Sequence, residues 1–423
     1  MSDSCECFMC GKNYQDKNSI YLSPLTKYRD KGICPSCLEL LKDISEEVDE
    51  LNKIFKLERV KALDSDFKEN EMAMKPYEIK KFLDNYVIGQ ENAKKILSIA
   101  VYNHFKRINM RKRNPELEID KSNIIMLGPS GSGKTHMVKN LARIFNVPYA
   151  ICDATTLTES GYVGSDVETI LQKLFYAANS NVEMAEKGIV FIDEIDKKAS
   201  KMHENLSITR DVSGEGVQQS LLKLLEGTKV EVQLTGQRKH PYGDTVTIDT
   251  QNILFIVGGA FNGIEKIIEK RLVKNSRAIK TIGITNRNLP GSEKKLTYNE
   301  LINSIETDDL RKFGLIPELI GRLPVICALK ELEEEELCDI LTKPKNAILK
   351  QYTELLKEDG VELHFDKDAL TYIAKLAISK KTGARGLRGQ IEKLLKEPMY
   401  SCLDDKDSKS LNITLDYVKK AVA

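Results

Sequence analysis

Residues 128–135 read G-P-S-G-S-G-K-T, that is Gly128, Pro129, Ser130, Gly131, Ser132, Gly133, Lys134 and Thr135. Glycines at this spacing let a loop turn its backbone N–H groups inward around phosphate oxygens, and a helix start behind them favours an anion. Lys134 supplies a charge for the β- and γ-phosphates, and the Thr135 hydroxyl suits Mg2+. Further along lies the acidic pair Asp193-Glu194. An aspartate delivered to the mouth of such a loop forms the metal side of the site. The adjacent glutamate can polarise a water against the γ-phosphate as a general base. Two acids alone are a weak signal. Joined to the glycine loop, they favour hydrolysis of a nucleoside triphosphate over binding alone. A third constellation is Cys7-x-x-Cys10 and Cys34-x-x-Cys37, separated by residues 11–33. Two such pairs complete a tetrahedral site of four thiolates, so structural Zn2+ is expected, with redox thiols as the alternative.

These residues need elements to hold them. Residues 124–127 are an unbroken apolar run, as in a buried parallel strand, and 136–145 read as a helix with Met137, Val138, Leu141 and Ile144 on one side. Residues 188–192 form a second apolar strand that ends in Asp193. Further strands are expected over 147–152 and 252–257, the latter followed by Gly258 and Gly259. Helices are expected over 91–113 and 217–225. Alternation of this kind predicts an α/β fold with a parallel sheet. Residues 274–300 read as polar and irregular. Residues 326–423 read as helix-rich, with one strand at 361–365, Asp366 as a helix cap, and Gly383-Ala384-Arg385 opening the last long helix.

The expected division is therefore a zinc-binding module over 1–45, a charged linker over 46–75, a large ATPase domain over 76–325 and a small helical domain over 326–423. A segment as short as 1–45 cannot build much core, so metal would supply its folding energy. The chain has 423 residues, 41% of them hydrophobic and 30% charged, with a net charge of +1. Neither nucleic acid nor membrane is suggested by that balance. No apolar run nears the roughly 18–20 residues of a membrane span. The opening M-S-D-S-C-E-C lacks the apolar core of a signal peptide, and most of the nine cysteines crowd into the first 37 residues. A cytoplasmic protein with thiols or metal, rather than disulfides, is expected.

Other residues stand out without declaring a role. Tyr162 and Val163 sit between two glycines in a polar stretch; an aromatic folded back on the surface would look the same. Arg238-Lys239-His240 is a compact basic cluster, equally readable as a solvated turn, and Arg322 is an isolated arginine.

The chain resembles the ClpX family of AAA+ ATPases. The matching runs are Y-V-I-G-Q-E-N-A-K-K, G-P-S-G-S-G-K-T, D-A-T-T-L-T-E-S-G-Y-V-G, F-I-D-E-I-D-K, I-T-R-D-V-S-G-E-G-V-Q-Q, F-G-L-I-P-E-L-I-G-R-L-P-V and T-G-A-R-G-L-R, in family order over nearly the whole length. The resemblance implies an ATP- and Mg2+-dependent unfoldase that recognises tagged or unfolded proteins and translocates them through the pore of a homohexamer into a ClpP-type peptidase. It implies that Tyr162 and Val163 grip the substrate chain, and that Arg238, Lys239 and His240 line the pore entrance. By the same resemblance Arg322 is an arginine finger, Arg385 a nucleotide sensor, and Val87 and Ile88 part of the adenine pocket. Ile282-Gly283-Ile284 falls where the family carries its peptidase-docking loop, with Ile284 in place of an aromatic. Adaptor binding and dimerisation are implied for the zinc module. Two departures are the long spacing between the CxxC pairs and the lack of a polar sensor after the strand at 252–257. An HslU-like motor and a zinc-dependent nucleic-acid remodeller are the competing readings. The zinc module argues against the first, and the neutral charge against the second.

Overall fold

The computed structural model describes residues 74–114, 116, 119–158, 166–200, 214–234, 245–281, 296–404 and 410–422, with backbone alone at 275–281, 403–404 and 422, and the backbone of four short strands nearer the N-terminus. Two compact units emerge, Met1–Ala73 and Met74–Ala423. In the first, β1 (Cys5–Cys7), β2 (Asn13–Tyr14), β3 (Tyr21–Leu22) and β4 (Lys31–Ile33) form a sheet ordered β2-β1-β4-β3. Strands β1 and β4 run parallel, with Cys7 opposite Gly32.

The second unit is built on a parallel five-stranded sheet. Its strands are β5 (Ile124–Leu127), β6 (Tyr149–Asp153), β7 (Ile189–Asp193), β10 (Leu254–Gly259) and β11 (Val325–Ala328), in the order β11-β5-β10-β7-β6. Strand β5 shows why the run is apolar throughout. Side chains alternate across a strand; Ile125 and Leu127 enter the core on one face, Ile124 and Met126 the core on the other. A strand covered by helices on both sides has no polar face to offer. A separate antiparallel pair, β8 (Lys229–Gln233) and β9 (Thr245–Asp249), lies against the helix Thr169–Ala177, where Gln172 Nε2 donates to the Gln233 carbonyl at 3.0 Å.

The C-terminal part has its own core, formed by Leu337, Leu341, Leu356, Ile373, Leu387, Ile391 and their neighbours. Its helices are Glu334–Thr342, Ile348–Glu358, Lys367–Ser379, Gly383–Asp404 and Leu415–Val422. A parallel strand pair, β12 (Glu362–Phe365) and β13 (Ser410–Ile413), joins them.

Several elements differ from expectation. Strand β10 begins at Leu254, after a tight turn at Thr250–Asn252 whose N-cap, Asp249, accepts from the Gln251 N–H at 2.9 Å. It then runs through Gly258 and Gly259 rather than ending before them. The stretch from 274 is helical as far as Thr281, because the helix Ile264–Thr281 continues through it. Asp366 is the N-cap of Lys367–Ser379 by position, yet its side chain makes no capping hydrogen bond. Strand β11 straddles position 325, where the sequence reading divides the large and small domains.

Candidate ATPase site

The phosphate loop leaves the end of β5 and enters the helix Lys134–Ile144. Gly131 (φ 77°) and Gly133 (φ 99°) hold left-handed conformations that side chains with a Cβ rarely adopt. The Lys134 ammonium folds back over the loop, donating to the Gly128 carbonyl at 2.7 Å and the Pro129 carbonyl at 3.1 Å. Burial pulls its pKa below the usual lysine value, against the opposing charges of Asp193, Asp196 and Glu194. The Ser132 hydroxyl is buried and has no hydrogen-bond partner among the described residues. Space beside Gly133 is open, since a Cβ there would meet nothing within 4 Å. An orphaned hydroxyl, an open cradle and a lysine at its lip fit a triphosphate.

The metal side lies alongside. Thr135 Oγ1 donates to Asp193 Oδ2 at 3.3 Å, so the last residue of β7 meets the first turn of the phosphate-loop helix. Both oxygens are of the kind that hold Mg2+, and these two residues would hold it here. Glu194 follows with φ 58°, its N–H bonded to Asp193 Oδ1 at 2.9 Å and its side chain exposed at the mouth. A left-handed glutamate is uncommon. It turns the chain off the strand line into the short Ile195–Lys198 turn, with Ile195 fully buried as its anchor.

The expected base-side residues sit in a tied-down turn. Val87 is buried and Ile88 half-buried, followed by left-handed Gly89 and Gln90. Gln90 Nε2 donates to the Lys330 carbonyl at 2.8 Å, and the Lys330 N–H donates to Gln90 Oε1 at 2.9 Å. Lys94, only 2% exposed, donates to the Val87 carbonyl at 3.3 Å and pairs with Asp84 (2.5 Å) and Glu91 (2.8 Å). Burial works to raise the Asp84 pKa, but hydrogen bonds from Lys94 and Lys80 prevail and hold it below the usual carboxylate value.

The small helical part closes on the same loop. The Ala384 N–H donates to the Gly131 carbonyl at 3.2 Å, and a Cβ on Gly131 would come within 2.4 Å of the Thr382 carbonyl oxygen. Arg385 is the next residue and is exposed. Arg322 is placed elsewhere. Asn123 Nδ2 donates to its carbonyl at 3.0 Å, just before β5 begins, whereas the phosphate loop starts where β5 ends. Four strand residues span about 13 Å, so Arg322 does not meet the phosphate loop of its own chain.

Sequence reasoning missed Asp196, Gln90 and the Ala384–Gly131 contact. Asp196 was visible in the run I-D-E-I-D-K; the other two depend on backbone geometry. Cys10, Cys34, Cys37, Tyr162, Val163, Arg238, Lys239, His240, Ile282, Gly283 and Ile284 lie outside the described residues, and Cys7 is described only as the backbone end of β1. No helix among the described residues is long and apolar enough to cross a membrane.

Residues 119–326 match the family model for the AAA domain (Cdc48 subfamily), and residues 332–414 that for the C-terminal, D2-small domain of ClpB protein. Sheet, phosphate loop and acidic turn thus define an AAA ATPase with a helical small domain. Among curated proteins the chain is 56% identical to the ATP-dependent Clp protease ATP-binding subunit ClpX of Treponema denticola over 342 residues, 80% of each chain. It is 53% identical to the protein of the same name from Borrelia duttonii over 346 residues, 81% of this chain and 78% of the relative. The chain belongs to the ClpX family, and it is an ATPase, not itself a protease.

Proposed function

We propose that this chain is one subunit of a homohexameric, cytoplasmic motor that uses ATP to unfold tagged proteins and thread them through a central pore into a ClpP-type peptidase. The observation that carries this reading is the hydrogen bond from Ala384 to Gly131. It seats the small helical domain on the loop that holds the triphosphate, so a change at the γ-phosphate moves a whole domain, as a motor needs. The ring is supported by Arg322. A cation at the opposite end of β5 from its own phosphate loop is available to complete a neighbour's site.

In this reading Glu194 activates water, Arg385 senses the nucleotide, and Val87 and Ile88 face the base. Tyr162 and Val163 grip the polypeptide, Arg238, Lys239 and His240 attract peptide tags at the entrance, and Ile282-Gly283-Ile284 docks the peptidase. The divisions 1–45, 46–75, 76–325 and 326–423 are kept as its domains, save that 326–328 complete β11 of the large domain's sheet. Residues 1–45 bind one Zn2+ through Cys7, Cys10, Cys34 and Cys37 and serve adaptors and dimerisation. The parallel pairing of β1 and β4 supports the metal, because β1 ends at Cys7 and β4 ends immediately before Cys34. The test is ATP-dependent degradation of a tagged, folded protein with a ClpP-type peptidase. Deleting 282–284 is expected to abolish degradation while ATPase and unfolding persist; delivery at the normal rate by the deletion variant would remove the docking role.

A further inference from the structure

Strand β10 lies between β5 and β7, so its end passes directly between the phosphate loop and the acidic turn. That position would suit a polar side chain that watches the γ-phosphate, yet β10 reads L-F-I-V-G-G. Space explains the glycines. A Cβ on Gly258 would lie 2.6 Å from the Phe191 ring, and one on Gly259 would lie 2.6 Å from the Phe261 ring and 2.7 Å from Asp196 Oδ1. The volume that a side chain at Gly259 would occupy is filled instead by the Phe261 ring and, from the turn after β7, by the Asp196 carboxylate. Asp196 Oδ1 accepts from the Ala260 N–H, the first residue beyond β10, at 3.2 Å. Asp196 stands two residues after Glu194 on the turn Ile195–Lys198, and its charge also bears on the Lys134 ammonium.

We propose that Asp196 is a positioning residue for ATP hydrolysis, tying the turn that carries Glu194 to the end of β10 and so fixing the Glu194 carboxylate over the phosphate loop. The inference rests on the reading of Glu194 as the water-activating base. A base must come within about 2.6–3.2 Å of the proton it takes. Glu194 is exposed and left-handed, so little besides the turn itself holds it. A displacement of about 1 Å at such a group costs on the order of 100-fold in rate.

The test compares Asp196→Ala, Asp196→Asn and Glu194→Gln by steady-state hydrolysis and by binding of ATP. Asp196→Ala is expected to lower kcat by about tenfold or more, with KM for ATP within about twofold. Asp196→Asn keeps an acceptor oxygen for Ala260 and is expected to keep kcat within about threefold of wild type. Wild-type kcat in the alanine variant, or a loss expressed only in KM, overturns the proposal. So does an asparagine variant as slow as the alanine one, because charge and not the hydrogen bond would then be at work. Should Asp196→Ala fail to fold, Asp196→Asn is judged against wild type: kcat within about threefold is expected, and a loss of about tenfold or more overturns the proposal. Normal turnover by Glu194→Gln is a different failure: it removes the base on which the inference rests. A dead Glu194→Gln beside a normal Asp196→Ala removes the inference only.

Discussion

Arg322 and Glu226 form an ion pair of 2.9 Å within the same chain, at the end of β5 away from the phosphate loop. The two side chains are 54% and 42% exposed. Exposed pairs of this kind are worth about 0–1 kcal/mol, so in the proposed ring Arg322 could leave Glu226 for a neighbour's phosphates at small cost. Arg322→Ala and Glu194→Gln subunits are each expected to hydrolyse ATP poorly alone and to recover part of the rate when mixed. Each lacks what the other supplies only if the arginine acts between subunits. Hydrolysis assays on verified mixed rings decide this; no recovery would confine Arg322 to its own subunit.

The contact between the phosphate loop and the Gly383–Asp404 helix leads to a second expectation. Gly383 has φ 54°, and a Cβ there would lie 3.0 Å from the Ser130 carbonyl and 3.1 Å from the Gly131 carbonyl. Gly383→Val combines backbone strain with a push on the loop and is expected to lower ATP turnover by about tenfold or more. Arg385→Ala, which leaves the backbone contact in place, is expected to lower turnover while ATP still binds. Measuring kcat beside nucleotide binding separates the two, and full turnover in Gly383→Val would mean that the contact transmits nothing.

A third prediction concerns acid. His104 is buried with Nε2 3.1 Å from the Asn252 carbonyl, so it carries its proton on Nε2 and is neutral. Burial, helped by the charges of Arg107 and Lys121, pulls its pKa down to about 3. An unfolded histidine titrates near 6.5. Between those values the unfolded chain binds the extra proton, so stability falls as pH drops through this window. Thermal unfolding is expected to decline from pH 7 to pH 4 more steeply in wild type than in His104→Gln. Equal slopes would show that His104 titrates normally.

The proposed zinc site makes a fourth. Metal analysis of the full chain is expected to give about one Zn2+ per subunit, as a closed site of four cysteines would hold. Cys34→Ser is expected to lose it, with ATP hydrolysis largely kept. Full zinc content in that variant would move the site elsewhere.

The parts of this fold that were legible in the sequence are those buried on both sides. Strands β5 and β7 announce themselves because the sheet faces leave them no polar positions, and the glycine loop follows from the left-handed φ of Gly131 and Gly133. Strand β11, V-I-C-A, was missed because its burial comes from pairing with β5 across roughly two hundred residues, a relation no local pattern carries. The hairpin of β8 and β9 was missed for the opposite reason. It has one wet face, and only Val232 and Ile248 are fully buried along it. Gly258 and Gly259 read as the end of a strand, but they pair with Met126 and Leu127 of β5, and they are glycines because the Phe191 and Phe261 rings leave no room for a Cβ. Asp196 was overlooked just after two more familiar acids, and its role depends on where β10 ends.

The central claim is that hydrolysis at this site drives protein unfolding, and the loss of native fluorescence from a tagged, folded fluorescent protein tests it most directly. The measurement is run with ATP consumption recorded in the same sample, on wild type, Glu194→Gln and Tyr162→Ala. Wild type is expected to extinguish the fluorescence only while ATP is consumed, and Glu194→Gln to do neither. Tyr162→Ala is expected to consume ATP at close to the normal rate yet unfold about tenfold less protein per ATP. Fluorescence that persists while wild type consumes ATP would contradict the account.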